Sequence, residues 1–517
     1  MLTLKAESMV NYNHIEVISL KDKNKKVSIK LERHRWPDEI AKDQQKRRKA
    51  FKIVIVIIVA FLLGTQFNKI SSFAGGPTEA HAGVERFDRV YRDLLASWYF
   101  KTDMDHPESE MIDNAIKGML EKNGDQHTSY MTQEEMNNLN ESINMNFDGI
   151  GVQYYAGNGA NIITRVFKGS PAEGAGLLAG DVLSKVDGVE IKTVDREKIQ
   201  ELIMGKEGTS VKVEVLRDQK PIEFDIKRGK INALVWGEIR DGVGYIEISS
   251  FGKNLADATK LYLDEFLEQG IDKLVIDLRD NGGGYLQAIE DIARIFFDND
   301  EIVYKEDFMN HSEKVYKVTD SEKNQYPFKN IAVLINEKSA SASEVLTLAL
   351  QENRGVQVVG VNSYGKGTVQ TQHEYPDKSA LKVTIAKWNS PKGNNIHGTG
   401  IKPDVEVKLP AIFYTNFVVL DDSKEIHVDA VHEAVVYTQN ALKFLGYHNG
   451  RTDGYYDIQT SEALMKYKAN LNLTINDTID HSVQEQLYSS VVSEWSSNRN
   501  ARDVQLQKAI EVVKNGK

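Results

Sequence analysis

Apolar positions fall into four textures along the chain. From 84 to 140 they recur at helix spacing, as in VERFDRVYRDLLASWYF, with a second helix expected at 108–122 and a third opening at the Thr132-x-x-Glu135 capping box. From about 147 short alternating strands take over (GIGVQYY, NIITRVF, DVLSKVDGVEI, VKVEVLR, IEFDIKR), broken by glycine or Asp-Gly turns and one helix at 195–203. From 243 strands and helices alternate: strand 244–248, helix 256–269, buried strand 273–278, helix 286–297, buried strand 331–335 and helix 341–351, the pattern of an α/β core. Beyond Pro410 a linker leads to three expected helices, 429–445, 460–471 and 482–491. The tail after 493 reads as a polar helix without legible chemistry.

One apolar run fits none of these textures. Residues 53–63 read IVIVIIVAFLL, and the run continues to Phe67 between Lys52 and Lys69. A helix of that length rises about 22 Å against a hydrocarbon core of about 30 Å, so the lysines must snorkel or the span must extend toward 73. Lys42, Lys46, Arg47, Arg48, Lys49 and Lys52 precede it, which by the positive-inside rule makes 1–52 a cytoplasmic basic tail and 53–73 a single transmembrane helix. Ala80-His81-Ala82 resembles a signal-peptidase site, but it lies far beyond the apolar run, so an uncleaved anchor is expected.

Composition narrows the chemistry. At 517 residues the chain has room for roughly three domains, and 41% hydrophobic with 27% charged residues is a globular balance. A net charge of -11, from 64 Lys+Arg against 75 Asp+Glu, repels phosphate backbones, so nucleic acid is not an expected partner. There are 0 cysteines, which removes disulfides, thiolate nucleophiles, zinc ribbons and iron–sulfur clusters together. Any protein nucleophile must carry oxygen.

Three segments at the ends of core elements can carry chemistry. DLRDNGGGY, 277–285, follows a buried strand, and its glycines let backbone N–H groups approach a ligand closely, which suits an oxyanion hole; no phosphate-loop pattern is present. SASASE, 339–344, joins a strand to a helix, where free N–H groups favour developing negative charge, although small residues there also serve as caps. YGKGTVQ, 364–370, places a lysine between glycines. Such a lysine deprotonates a serine only if burial or nearby positive charge lowers its pKa.

Together these segments resemble the carboxyl-terminal processing (tail-specific) proteases, over 84 to about 409. The resemblance implies Ser341 as nucleophile, Lys366 as general base, Gln370 orienting the lysine, and the N–H groups of Ala342 with Gly283 or Gly284 as the oxyanion hole, with no metal and no cofactor. Gly282, Gln126 and Lys338 depart from the family pattern, the first two standing where proline is usual and the third where glycine is. A rival triad of Ser341, His397 and Asp404 can also be drawn.

In the strand-rich segment, Gly149-Ile150-Gly151-Val152 can form a nest for a carboxylate beside a strand edge. With SPAEGAGL at 170–177 and GDVL at 180–183 it resembles a PDZ domain, which implies that Gly149, Ile150, Gly151 and Val152 bind the apolar C-terminal tail of a protein or peptide substrate and gate the serine. ALKFLGY at 441–447, DGYYD at 453–457 and the helix after it resemble a peptidoglycan-binding domain, making peptidoglycan a candidate partner. Tyr455 and Tyr456 could stack on sugars or lie in the core.

The expected fold is multidomain α/β (α+β). A helical N-terminal region (84–140), an inserted PDZ domain (141–230), a crotonase-like serine protease core (231–410), a three-helix peptidoglycan-binding-like domain (428–492) and a tail (493–517) follow the anchor. The expected activity is membrane-anchored, extracytoplasmic serine endopeptidase action at protein C-termini, in a single-pass protein of the cell membrane facing the cell wall, with a homodimer left open. A catalytically silent PDZ and wall-binding scaffold is the alternative. A peptidoglycan hydrolase would need a metal cluster or acid pair that the sequence does not display.

Overall fold

The computed structural model describes residues 6–12, 15–22, 25–32 and 79–516, apart from 158–159, 192–193, 195, 218–219 and 422. The chain divides into two units, Met1–Ile112 and Asp113–Lys517. In the first, strands β1 (Ala6–Tyr12), β2 (Ile15–Asp22) and β3 (Lys25–Glu32) form an antiparallel sheet, and helix α1 (Glu79–Ser97) follows. No strand is expected this early. The sequence KKVSIKLE does alternate with period two, at Val27, Ile29 and Leu31, whereas in IEVISLKD the apolar residues Ile15, Val17, Ile18 and Leu20 break the alternation.

The expected membrane placement is corrected. Among the described residues no helix is long and apolar enough to cross a membrane; α1, for example, carries Glu85, Arg86, Asp88, Arg89, Arg92 and Asp93 along its length. The expected span, 53–73, lies outside the described residues, and a single-pass membrane protein is not carried further.

Helix α2 (Pro107–Lys122) runs across the boundary between the units. After strand β4 (Ser129–Met131), helix α3 (Gln133–Asn144) starts at the capping box foreseen from sequence: Glu135 N–H donates to Thr132 Oγ1 at 3.2 Å and Thr132 N–H to Glu135 Oε2 at 2.8 Å. Strand β5 (Asn146–Gly149) then leads into a small β module. It comprises β6 (Val152–Gly157), β7 (Ala160–Val166), helix α4 (Pro171–Ala175), β8 (Val182–Val186), β9 (Val189–Glu190), helix α5 (Arg196–Ile203), β10 (Ser210–Arg217) and β11 (Lys220–Lys227). Its sheet runs β11-β10-β8-β7-β6, and its own core gathers Ile150, Ile163, Leu183, Val213 and Ile199. The chain leaves on β12 (Gly229–Asn232), which pairs antiparallel with β5, so one two-stranded stalk carries both ends of the module.

The α/β core is built on the sheet β13-β14-β15-β18-β19-β22. Its strands are β13 (Val235–Arg240), β14 (Val243–Ile248), β15 (Lys273–Asp277), β18 (Asn330–Ile335), β19 (Gln357–Gly360) and β22 (Val405–Glu406). All neighbouring pairs are parallel except the β13–β14 edge. A second sheet, β17-β16-β21-β20, is formed by β16 (Ile302–Phe308), β17 (Glu313–Lys317), β20 (Thr368–Glu374) and β21 (Ala380–Asn389), with β4 joining at β21. Parallel strands must be covered on both faces, and the period-two alternation shows how. Leu274, Ile276, Val333, Ile335 and Val358 pack with helices α6 (Leu255–Glu268), α7 (Leu286–Phe296) and α8 (Ala342–Arg354). The alternate residues Val275, Ala332, Leu334 and Val359 pack with Leu506, Ala509, Ile510 and Val513.

Those last four residues belong to the C-terminal tail. Beyond the core the chain forms helices α9 (Glu433–Phe444), α10 (Ile458–Asn470) and α11 (His481–Ser497), whose separate core includes Leu442, Leu464, Tyr467 and Leu487. Tyr456 is part of that core, whereas Tyr455 is half-buried under the Arg451 guanidinium. A short helix α12 (Arg499–Arg502) then turns into α13 (Val504–Asn515), which returns to cover the mostly parallel sheet. The tail is therefore an amphipathic core helix rather than the polar appendage expected. Each of its buried Leu, Ile and Val side chains contributes about 1.5–3 kcal/mol by burial.

Candidate active site

The site begins with the SASASE turn between β18 and α8, where alternate serines have different fates. Ser339 and Ser343 are fully buried: Ser339 Oγ donates to the Leu278 carbonyl at 2.7 Å, and Ser343 Oγ to the Asn281 carbonyl at 2.9 Å. They stitch the turn to the loop after β15. Ser341 is left half-buried at the N-cap of α8, with φ 56° and ψ -115°, a positive-φ conformation outside the left-handed helical well that costs a non-glycine residue of order 1–3 kcal/mol.

Glu344 holds that turn. Its carboxylate is completely buried and accepts four hydrogen bonds, from Ser341 N–H (2.8 Å), Lys366 N–H (2.9 Å), Gly365 N–H (2.7 Å) and Ser363 Oγ (2.5 Å). One carboxylate thus ties the backbone of the serine turn to that of the lysine loop. The close passage of Gly365 is obligatory: at φ 90°, a Cβ would stand 2.7 Å from Gly400 N. Trp388 Nε1 donates to the Lys366 carbonyl at 2.8 Å and completes the loop's anchorage.

Ser341, Lys366 and Gln370 line one cleft of about 650 Å³, together with Gly282, Gly283, Gly284, Ser250, Met145 and Lys382. Burial, and secondarily the charge of Lys382, hold the Lys366 pKa below its ordinary value, against the opposing pull of Asp125 and Glu344. Lys382 is lowered by its own burial. Among the described hydrogen bonds none joins Ser341 Oγ to Lys366 Nζ, and the Gln370 amide donates to Thr368 Oγ1 (2.9 Å) and Thr384 Oγ1 (3.2 Å) rather than to the lysine.

On the glycine loop, Asn281 is the organiser. Fully buried, it donates from Nδ2 to the Ile248 carbonyl at 2.7 Å and accepts Gly283 N–H on Oδ1 at 2.9 Å. Its own carbonyl accepts Ala340 N–H at 3.0 Å. Gly283 has φ 102° and passes so close to the serine turn that a Cβ would lie 2.9 Å from Ser341 Cβ and 3.0 Å from Ala342 N. Of the three expected oxyanion donors, Gly283 N–H is taken by Asn281, whereas no described hydrogen bond engages the N–H of Gly284 or of Ala342.

The other sequence candidates separate cleanly. His397 accepts Gly367 N–H on Nδ1 at 3.3 Å, and Asp404 Oδ2 accepts Val358 N–H at 2.8 Å and Gln351 Nε2 at 3.0 Å, so neither is arranged around Ser341. Gln126 donates to Tyr364 Oη at 3.3 Å, Lys338 pairs with Asp280 at 3.2 Å on the surface, and a Cβ on Gly282 would meet open space. Gly149, Ile150, Gly151 and Val152 line a second cavity of about 280 Å³ with Phe147, Ile203 and Met204. Gly151 has φ 87°, and a Cβ there would collide with Ser170 Cβ at 2.3 Å. Among the described residues no group of three or more His, Cys, Asp and Glu is placed to hold a metal ion.

A mostly parallel α/β sheet that delivers a strained serine to a helix N-terminus, over a cleft edged by free backbone N–H groups, is the framework of a serine-type protease. Comparison with known proteins makes it particular. Residues 242–407 match peptidase family S41, 162–217 a PDZ domain and 431–486 a peptidoglycan binding domain. The carboxy-terminal processing protease CtpA of Bacillus subtilis (strain 168) is 33% identical over 476 residues, 91% of this chain and 99% of that protein. CtpB of the same organism is 33% identical over 448 residues, 85% of this chain and 91% of that one. Among solved structures, the photosystem II D1 C-terminal processing protease aligns at 24% identity and a TM-score of 0.36, covering 63% of this chain and 92% of that one. The chain belongs to the carboxy-terminal processing protease family and is a serine-type protease.

Proposed function

We propose that this protein cleaves protein substrates from or near their C-termini with Ser341 as nucleophile and Lys366 as general base, the PDZ module presenting the substrate tail. Neutral Lys366 takes the Ser341 proton and the alkoxide attacks the scissile carbonyl. The N–H groups of Ala342 and Gly284 receive the oxyanion, and the Lys366 ammonium returns its proton to the leaving amine. Water, deprotonated by Lys366, then releases the acyl group from Ser341. Losing one oxyanion donor costs typically about 100- to 1,000-fold in rate.

The observation that carries this reading is the Glu344 carboxylate, which binds the backbone N–H of Ser341 at 2.8 Å and of Lys366 at 2.9 Å and so sets both residues over one cleft. The lowered pKa of Lys366 supports it, because only the free amine can accept the proton. Gln370 lines the same cleft and is proposed to orient the amine during turnover, from its present position on Thr368 and Thr384.

The test is Lys366→Arg beside Lys366→Ala, with turnover of an unfolded protein substrate measured on folded enzyme. Arginine keeps the charge but does not deprotonate. Both variants should therefore lose roughly 10²–10⁴-fold, the usual contribution of a general base. Retained activity in Lys366→Arg would mean that the residue acts as a fixed charge and would overturn the assignment.

A further inference from the structure

The strongest unexplained feature of the core is a buried charge cluster that the C-terminal tail completes. Arg279 follows β15 and opens the loop that runs through Asn281 to Gly284. Its side chain is 6% exposed, and all five guanidinium N–H groups are engaged. Nε donates to Asp277 Oδ1 at 3.0 Å and one Nη2 hydrogen goes to Asp277 Oδ2 at 2.6 Å. The other three bonds go to the tail: Nη2 to Asp503 Oδ2 (2.8 Å), Nη1 to Asp503 Oδ1 (2.9 Å) and Nη1 to Gln505 Oε1 (2.9 Å).

Asp503 and Gln505 are both 0% exposed. They sit at the start of α13, held by its apolar face on the protease sheet, and Gln505 Nε2 also donates to the Val407 carbonyl at 2.7 Å. A bidentate Arg–carboxylate pair in a dry environment fixes orientation as well as charge. Removing the carboxylate would leave two guanidinium groups, of the buried Arg279 and the half-buried Arg499, with Asp277 as the carboxylate between them. Arg499 lies 3.7 Å from Asp503 and 4.0 Å from Asp277, and Arg279 would keep besides only the neutral Gln505 amide. That is a strongly unfavourable state, which the loop relieves by moving.

The path from Arg279 to the candidate chemistry is short and rigid. Two residues on, Asn281 holds Gly283 N–H on its side chain and receives Ala340 N–H and Ser343 Oγ on its carbonyl. Gly283 is pressed against Ser341 and Ala342. A displacement of Arg279 is thus passed to the backbone that frames the oxyanion site, where about 1 Å of misplacement can cost about 100-fold in rate.

From this we infer that Asp503 and Gln505 are positioning residues for the protease site: the C-terminal segment, docked after the peptidoglycan-binding-like module, clamps Arg279 and so sets the 281–284 loop for catalysis. The inference rests on the reading of Ser341 and Gly284 given above. It also means that the site is completed only when α13 has docked.

The experiment uses full-length protein and a peptide substrate, with kcat, KM and thermal unfolding measured for Asp503→Asn and Gln505→Met, and Ser341→Ala as control. Asp503→Asn should lower kcat about 10- to 100-fold with KM within about twofold in protein that remains folded. Gln505→Met, which keeps every charge, should lower kcat in the same way but less. The effects of Asp503→Asn and Arg279→Lys should be non-additive, since both act through one clamp. Should Asp503→Asn fail to fold, Gln505→Met decides. An unchanged kcat in folded protein, or a loss that merely follows the unfolded fraction, would overturn the inference. Activity surviving in Ser341→Ala would instead overturn the reading of the site.

Discussion

The base role proposed for Lys366 poses a residue-scale problem, how an ammonium group gives up its proton. Burial is the first cause and the Lys382 charge the second, while Asp125 and Glu344 pull the other way; His127, itself lowered by burial and by Lys366, completes the surrounding titratable groups. In the proposed mechanism the active form is the free amine, so the rate should rise with pH through the Lys366 pKa. Lys382→Met removes a like charge, raises that pKa and should move the rise to higher pH. Asp125→Asn removes an opposite charge and should move it to lower pH. The midpoint of the kcat/KM profile checks both; shifts of the opposite sign would show that the amine is not the titrating group. SASASE was legible as a serine turn, and its middle serine follows from family resemblance. The geometry adds the reason: Ser339 and Ser343 are turned inward as stitches, leaving Ser341 to the cleft. Sequence spacing could not show the four-donor role of Glu344, because its partners at 363, 365 and 366 come from a separate loop.

Among the elements, the loop after β15 and the turn before α8 work as one unit, joined by Asn281, Ser339 and Ser343. Gly283→Ala tests that unit. The added methyl would meet Ser341 Cβ at 2.9 Å and the Ala342 nitrogen at 3.0 Å from a backbone at φ 102°. It should lower kcat by about 100-fold through misplacement while stability falls by only about 1–3 kcal/mol; unchanged kcat would show that the loop does not frame the reaction. Most core strands and helices were legible because their apolar periods are strong, as at 273–278 and 331–335. The tail was missed for the opposite reason. In VQLQKAIEVVKN the buried residues 506, 509, 510 and 513 keep helical spacing, but polar neighbours dominate the composition. The strand at 25–32 was likewise hidden by the lysines and glutamate that alternate with its apolar residues, and the one at 15–22 by a broken alternation.

For Asp113–Lys517 as a whole, the order along the chain differs from the order in space. A helical module resembling a peptidoglycan-binding domain stands between the core strands and the helix that covers them, so its two ends are both tied to the protease sheet. The β module is carried on the β5–β12 stalk and also meets the core through Arg165, whose guanidinium donates to both Glu247 oxygens at 2.8 and 2.7 Å. Burial by itself would raise the Glu247 pKa, but Arg165 and Arg499 outweigh it and keep the carboxylate charged. Such connections were beyond sequence reading, since each joins residues far apart in the chain. They give the proposed activity its most direct test: cleavage, by the full-length protein, of one peptide with an apolar free C-terminus and of its C-terminally amidated twin, each repeated with Ser341→Ala. The free peptide should be cut faster, through the loop at 149–152, and neither should be cut by Ser341→Ala. Equal rates would contradict tail recognition, and cleavage by Ser341→Ala would contradict the serine mechanism itself.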